Sequence, residues 1–291
     1  MVSPTNFLPH AFLWLALVVT IFSLSPKFYD KVCPQALPTI KRVVEGCDGS
    51  LLLDSTSFET EKIVRGNFIS VKGFEVVDQI KAGMDRFYGC PIVYCADILV
   101  VAARDSVVAL GGPTWKVRLG RRDSIRDWKD LANSTLPSAS MDLPALISNF
   151  KNQGLNKRDL VALSGGHTIG LSQYIDLAFA KERRATCPCT EGNTNLTPFD
   201  LTLARFDSAY FKNLVKQKGL LTSDQALFNG GSTDKLVETY NKNLDAFWVD
   251  FRKSMIRMGN IMPLTGKQGK IHVNYRKMNE LIYRAIYRLS N

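Results

Sequence analysis

Histidine is scarce in this chain, with three among 291 residues. His10 falls in a leading apolar stretch and His272 in a basic, Gly-flanked tail, so only His167 lies inside a well-patterned helical region. Charge is missing at the start: residues 1–23 hold no Lys, Arg, Asp or Glu, and Ala11 to Leu24 is largely apolar. Such a run is short for a membrane span. It suits a secretory signal peptide lacking the usual basic start, with a membrane anchor as the alternative. No second apolar run follows, which predicts a soluble, exported mature chain with no membrane span. Two Asn-x-Ser/Thr sequons, at Asn133 and Asn195, agree with export. Repeats and low-complexity tracts are absent too, and a composition 45% hydrophobic and 22% charged is that of a globular protein.

Acidic residues are outnumbered, giving a formal net charge of +10 that loss of the uncharged leader would not change. The excess Lys and Arg are scattered, with short pairs at Arg121-Arg122 and Arg183-Arg184. Nucleic-acid binding asks for a basic stripe and a recognisable reading module, and neither is present. Attraction to acidic wall polysaccharide or another polyanion explains the charge, as does a basic surface that is merely solvated.

The patterned segments read as helix almost throughout. Val76, Val77, Ile80, Met84 and Phe87 recur at helical spacing, as do Leu143, Leu146, Ile147 and Phe150, the latter set capped by Asp142 and stopped by Gly154. Cys95 to Leu110 is a more uniformly apolar, central helix ended by Gly111-Gly112-Pro113. Asp207 to Lys218 and Ser232 to Met258 are further helical stretches, and the strand-like runs are short, around Trp115 to Leu119. The expected class is all-α: one helical domain, or two helical lobes.

The stretch Asp159-Leu-Val-Ala-Leu-Ser-Gly-Gly-His-Thr-Ile-Gly170 concentrates the chemistry. Asn156 caps a short helix with Asp159 three residues on, and Leu160, Val161 and Leu163 give it a buried face. Gly165 and Gly166 end it and allow close approach to the backbone, so His167 emerges at a helix end. A neutral imidazole there is a good ligand for iron or zinc, while a satisfied core histidine is the more frequent fate of a lone His.

This stretch resembles the proximal haem-ligand motif of the plant secretory (class III) peroxidases, and other motifs follow in family order. They include Phe28-Tyr29-Asp30 with Cys33-Pro34, Gly46-Cys47-Asp48-Gly49-Ser50, Gly73-Phe74-Glu75-Val76-Val77-Asp78 and Cys95-Ala96-Asp97-Ile98-Leu99. Ala102-Ala103-Arg104-Asp105-Ser106-Val107, Leu119-Gly120-Arg121-Arg122-Asp123-Ser124, Leu220-Leu221-Thr222-Ser223-Asp224-Gln225 and Gly259-Asn260-Ile261-Met262-Pro263-Leu264-Thr265-Gly266 continue the series. The resemblance spans residues 24–276, leaving 1–23 as signal peptide and 277–291 as a C-terminal extension. It implies a haem peroxidase fold with two helical lobes around a haem crevice. The implied enzyme is a secreted monomer of the cell wall or extracellular space, which reduces hydrogen peroxide while oxidising small phenolic donors.

Carried over residue by residue, the resemblance makes His167 the axial ligand of haem b iron. It makes Asp224 the carboxylate that takes a proton from the other ring nitrogen, although spacing alone equally allows Asp224 a helix-capping role. Gln173 and Ser70 match propionate contacts, and Pro137 matches the proline of the aromatic-donor channel, with Ala139 in place of a second proline. Thr168, Asp200, Thr202, Arg205 (through its carbonyl) and Asp207 match a proximal calcium site, in a segment one residue short of the family's pattern.

On the distal side the chain departs from the family. Peroxide chemistry asks for a base, an acid and a cation, supplied in the family by an Arg and a His on one helix. Here Lys41-Arg42-Val43 passes directly into Val44-Glu45-Gly46-Cys47-Asp48. The helix is absent, and with it the distal His, the distal Arg and a calcium-binding Asp. Asn67, which in the family orients the distal His through Glu61, remains. So do Val44, Gly46, Asp48 and Ser50 of a distal calcium site left one Asp short. A second gap follows Gln173. Of six cysteines, the family's four-bridge pattern leaves only Cys33 and Cys90 with each other. Cys47, Cys95 and Cys187 lack their family partners, Tyr275 standing near where that of Cys95 would be, and Cys189 is an extra. The expectation is a haem protein of peroxidase type with impaired turnover; the alternative is a catalytically defective haem-binding or polyanion-binding secreted protein.

Overall fold

The computed structural model describes residues 74–124, 130, 134–169, 171–172, 197–198, 202 and 205–272. The helices it bounds are α1 (Phe74–Tyr88), α2 (Cys95–Ala109), α3 (Leu143–Asn152), α4 (Lys157–Ser164), α5 (Ala209–Val215), α6 (Thr222–Gln225), α7 (Asp234–Lys242) and α8 (Leu244–Met258). A 3-10 turn, Gly165–Thr168, continues α4. A two-residue antiparallel ladder pairs Leu171 with Pro198 and Ser172 with Thr197. The all-α class expected from periodicity is what the described residues form. Trp115–Leu119 does not enter a strand; alternate residues Trp115, Val117 and Leu119 are buried along an extended segment.

Several boundaries follow from local chemistry. Asp142 Oδ1 accepts from the Ala145 N–H at 2.9 Å and starts α3, while Gly154 adopts φ +75°, a conformation open to glycine, just past its end. Asn156 Oδ1 accepts from Arg158 and Asp159 N–H at 2.9 and 3.1 Å, and Asp159 Oδ2 accepts back from Asn156 N–H at 2.9 Å. This reciprocal capping box satisfies donors that the first turn of α4 leaves unpaired. The stretch read as one helix from Ser232 to Met258 is two. Asn243 leaves helical geometry (φ −136°, ψ 96°), and its side chain accepts from the Ala246 N–H at 3.0 Å, so it ends α7 and caps α8. The stretch Asp207 to Lys218 contracts to Ala209–Val215. Val77, Ile80 and Met84 of α1 are buried as their spacing predicts, but Phe87 is 63% exposed, one turn beyond the buried face.

The core runs from α1 and α2 to α4, α5, α7 and α8, and its aromatic part lies among the last four. Phe206, Phe211, Tyr240, Phe247 and Phe251 interlock there, with Phe206–Phe251 centroids 4.7 Å apart and Phe211–Phe247 4.9 Å apart edge to face. Gly165 is placed by this cluster. A Cβ on it would sit 2.5 Å from Phe247 Cε2 and 2.7 Å from Phe211 Cζ, so the aromatic wall requires glycine at the end of α4. Replacing the fully buried Phe247 by Ala would cost about 3–5 kcal/mol and release the wall that fixes this turn.

Candidate functional site

Gly165 keeps right-handed helical geometry (φ −60°), so the chain does not stop at the Gly-Gly pair but tightens into the 3-10 turn that carries His167. Of the two roles expected of these glycines, close approach is the one Gly165 fills. The His167 side chain is 39% exposed, a half-open ring standing on a buried aromatic wall.

Behind the ring lies Asp224, 2% exposed, on α6. His167 Nδ1 is 2.8 Å from Asp224 Oδ1, and Tyr210 Oη donates to that same oxygen at 2.9 Å. Oδ2 accepts from the Leu221 N–H at 3.3 Å at the start of α6. Asp224 is thus the third residue of α6 and not the N-cap of a helix over 225–228: one oxygen reaches back to the N–H of Leu221, the residue before α6, and the other holds the imidazole. A carboxylate only accepts, so Nδ1 carries the proton and Nε2 carries the lone pair, the form in which imidazole ligates a metal. Burial first, then the Asp224 charge, pushes the Tyr210 phenol well above its usual range and keeps it a proton donor. Sequence reading missed Tyr210. It lies on the buried side of α5, and nothing in its spacing signals a bond fourteen residues away.

The loop bearing Pro137 reaches the same region. Ala139 O accepts from the Ser223 N–H at 2.9 Å, which ties the loop to the residue beside Asp224, and Pro137 is exposed. Thr168, next to His167, is buried, and its Oγ1 lies 3.3 Å from Asp207 Oδ1; Thr202 Oγ1 lies 3.4 Å from that oxygen. The Ala209 N–H donates to it at 2.7 Å. Three of the predicted calcium residues, Thr168, Thr202 and Asp207, thus meet. Arg205 is exposed, and its N–H donates to Thr202 O at 2.8 Å. Among the described residues no three His, Cys, Asp or Glu side chains gather as a metal site. A cation here would take the Asp207 carboxylate together with hydroxyl and carbonyl oxygens, the hard donors that calcium accepts.

Other expected site residues lie outside the described residues: Asn67, Ser70, Gln173, Asp200, Val44, Gly46, Asp48, Ser50 and Cys33. Cys90 is exposed, with its thiol 3.6 Å from Tyr88 O. Cys95 is buried at the start of α2, and burial, reinforced by Asp123, pushes its thiol far above the usual range, making it unreactive. His272, in the basic, Gly-flanked tail, is 4% exposed, and its backbone N–H donates to Asp123 Oδ2 at 3.0 Å. Among the described residues no helix is long and apolar enough to cross a membrane.

The imidazole fits haem on the chemistry of its donors, with Nδ1 held by a buried carboxylate and Nε2 left as the ligating nitrogen. Comparison with known proteins leads to the same group. Residues 27–243 match the peroxidase family model. The chain is 48% identical to "Peroxidase RIP1" of Medicago truncatula over 296 residues, covering 88% of this chain and 91% of the relative. It is 48% identical to "Peroxidase 70" of Zea mays (91% and 94% covered) and 46% identical to the "Lignin-forming anionic peroxidase" of Nicotiana sylvestris (85% and 89%). The match to the Medicago protein is 296 positions long yet takes in only 88% of a 291-residue chain, so the relative carries residues within it that this chain lacks. The chain belongs to the plant class III peroxidases, all-α enzymes that work with haem.

Proposed function

We propose that this chain binds haem b through His167 and serves as a secreted peroxidase of hydrogen peroxide and small phenolic donors, with turnover well below that of a full-length relative. The observation that carries the reading is the 2.8 Å pairing of His167 Nδ1 with buried Asp224. Bound haem supplies the redox-active iron through which electrons from the donor reach peroxide. The residues of this chain then have separate tasks. Asp224 holds the His167 ring and its tautomer, and Gly165 lets the turn sit against Phe247. Gln173 and Ser70 take the propionates, and Pro137 lines the approach of the aromatic donor. Thr168, Thr202 and Asp207, with Asp200 and the Arg205 carbonyl, hold calcium beside the axial histidine. Val44, Gly46, Asp48 and Ser50 form a weaker second calcium site. Cys33 and Cys90 form the remaining disulfide, worth about 2–5 kcal/mol. The leader, residues 1–23, directs export and residues 24–276 form the peroxidase domain; the role of 277–291 is not assigned.

Reduced turnover follows from what the sequence lacks between Arg42 and Val44. Without the distal His and Arg, Asn67 has no base to orient. Acid–base help of this kind is worth about 10²–10⁴-fold, and loss of the cation adds to that. Two measurements test the reading. His167→Ala should abolish haem retention and the haem absorption spectrum; a variant that keeps both unchanged refutes the ligand assignment. Steady-state peroxide-dependent oxidation of a phenol such as guaiacol should run at least a hundredfold below that of a full-length relative. An equal rate refutes the impairment.

A second reading, binding of acidic wall polysaccharide, draws support from one surface feature. A cleft of about 650 Å³ between Trp115–Leu119 and the outer face of α8 is lined by Arg104, Lys116, Arg252 and Lys253, and none of the described residues lining it is acidic. Retention on a polygalacturonate column that Arg252→Gln with Lys253→Gln abolishes would support it, and unchanged retention would remove it.

A further inference from the structure

We infer that Tyr210 is a positioning residue that limits how strongly Asp224 draws on the His167 ring, and so sets how much electron density that ring gives to iron. The inference rests on His167 as the iron ligand. Its own observation is that one oxygen, Asp224 Oδ1, receives both His167 Nδ1–H at 2.8 Å and Tyr210 O–H at 2.9 Å. Tyr210 and Asp224 are buried, at 3% and 2% exposure, so water does not dilute either bond. The Tyr210 ring also stands edge-on to the imidazole, centroids 6.0 Å apart, so one side chain touches both members of the pair.

The consequence follows from sharing an acceptor. A carboxylate that accepts a proton donor from a metal-bound histidine makes that histidine a stronger ligand. A second donor on the same oxygen stabilises the carboxylate charge and lowers its basicity toward the first. Tyr210 therefore opposes transfer of the Nδ1 proton toward Asp224. Oδ2 faces the start of α6, where it accepts the Leu221 N–H at 3.3 Å, so ring and phenol meet on Oδ1 alone. Removing the phenol deletes no ring, charge or helix cap, and besides the bond to Asp224 it releases a hydrogen bond with Ser164 at the end of α4.

The test uses the haem-loaded full chain and two changes of opposite sign at one position. In Tyr210→Phe, Asp224 draws harder on His167 and ferric iron is favoured over ferrous by about tenfold, a fall of about 59 mV in midpoint potential for one electron. The iron–histidine stretching frequency of the ferrous form should rise with it. Incorporating 3-fluorotyrosine at position 210 strengthens the donor and should move both readouts the other way. A merely structural tyrosine would leave both unmoved, or shift them the same way in both proteins, and either result overturns the inference. If one variant fails to retain haem, the other still decides by the sign of its shift. The wild-type spectrum set against that of His167→Ala tests the parent reading separately: identical spectra would overturn the ligand assignment and this inference together. A normal His167 dependence with no response at position 210 would overturn this inference alone.

Discussion

Two buried carboxylates, Asp97 on α2 and Asp224 on α6, are 0% and 2% exposed and both accept hydrogen bonds on each of their oxygens, yet they do different things. Asp97 accepts from the backbone N–H groups of Gly120 (2.6 Å) and Arg121 (3.2 Å) and from the Arg121 guanidinium at 3.3 Å. That guanidinium continues to Gly259 O at 2.6 Å, so the cluster joins α2, the extended segment after it and the end of α8. These partners are backbone N–H groups and a permanent cation, which makes it a clamp. Asp224 instead faces a tyrosine, an imidazole and one backbone N–H, and the imidazole is 39% exposed. A buried carboxylate whose partner is a half-open, titratable ring is placed for chemistry rather than for closure. Burial alone does not separate the two; the identity of the partners does.

That contrast sets an order of effects. Asp97→Ala should be the most damaging substitution, because it leaves a nearly buried guanidinium and two backbone donors facing no charge. The expected loss is about 3–5 kcal/mol, a large part of a domain's stability of about 5–15 kcal/mol. Urea denaturation would register it as a lowered midpoint, or as failure to accumulate folded protein. A loss below about 1 kcal/mol would show that the clamp is dispensable. Asp224→Asn should come next and differ in kind. The amide keeps the shape and an acceptor oxygen, so the urea midpoint should fall far less than in Asp97→Ala. Haem affinity should drop about 10–100-fold as the imidazole loses its carboxylate. Haem titration into the two apoproteins checks this. If Asp224→Asn unfolds the chain as readily as Asp97→Ala, the distinction between clamp and working carboxylate collapses.

How much of this the sequence could show depends on the range of the interaction. The caps of α3 and α4 were legible because Asp142, Asn156 and Asp159 act within three residues of themselves. The break at Asn243 was not, since Ser232 to Met258 keeps a helical apolar rhythm through it and only the rotation of one residue separates the two helices. Asp159 read as half of a capping box, and it is that. It also accepts from Ser254 Oγ at 2.8 Å and from Arg257 at 3.0 Å, 95 and 98 residues away, which fastens α4 to α8. His167 and Asp224 came from family motifs, and the structure brings them together. Tyr210 needed coordinates, because a tyrosine on a buried helix face looks the same whether its hydroxyl has a partner or not.

His272 offers the smallest and last test, because it stands at a third buried carboxylate, Asp123, 5% exposed. The ring is 4% exposed, and its backbone N–H is fixed to Asp123 Oδ2 at 3.0 Å. Asp123 also accepts from the Ala96 N–H at 2.8 Å, and its backbone bridges to Lys270. Around the ring, burial and the Lys81 charge disfavour protonation, whereas Asp123 and a hydrogen bond from the ring N–H to the Ser124 backbone carbonyl favour it; burial is the largest influence and the pKa falls below its ordinary value. The unfolded chain, with histidine near about 6.5, therefore takes up a proton before the folded one does. The stabilisation from His272 is complete above that unfolded value and declines as pH falls from there toward the folded value. Chemical denaturation of the wild type should accordingly show a larger loss of stability between pH 7.5 and pH 5.5 than His272→Asn does, by an amount well below the cost of Asp97→Ala. Parallel pH dependences for the two proteins would mean that the ring takes up a proton as readily in the fold as in the unfolded chain, and that burial at Asp123 does not oppose its charge.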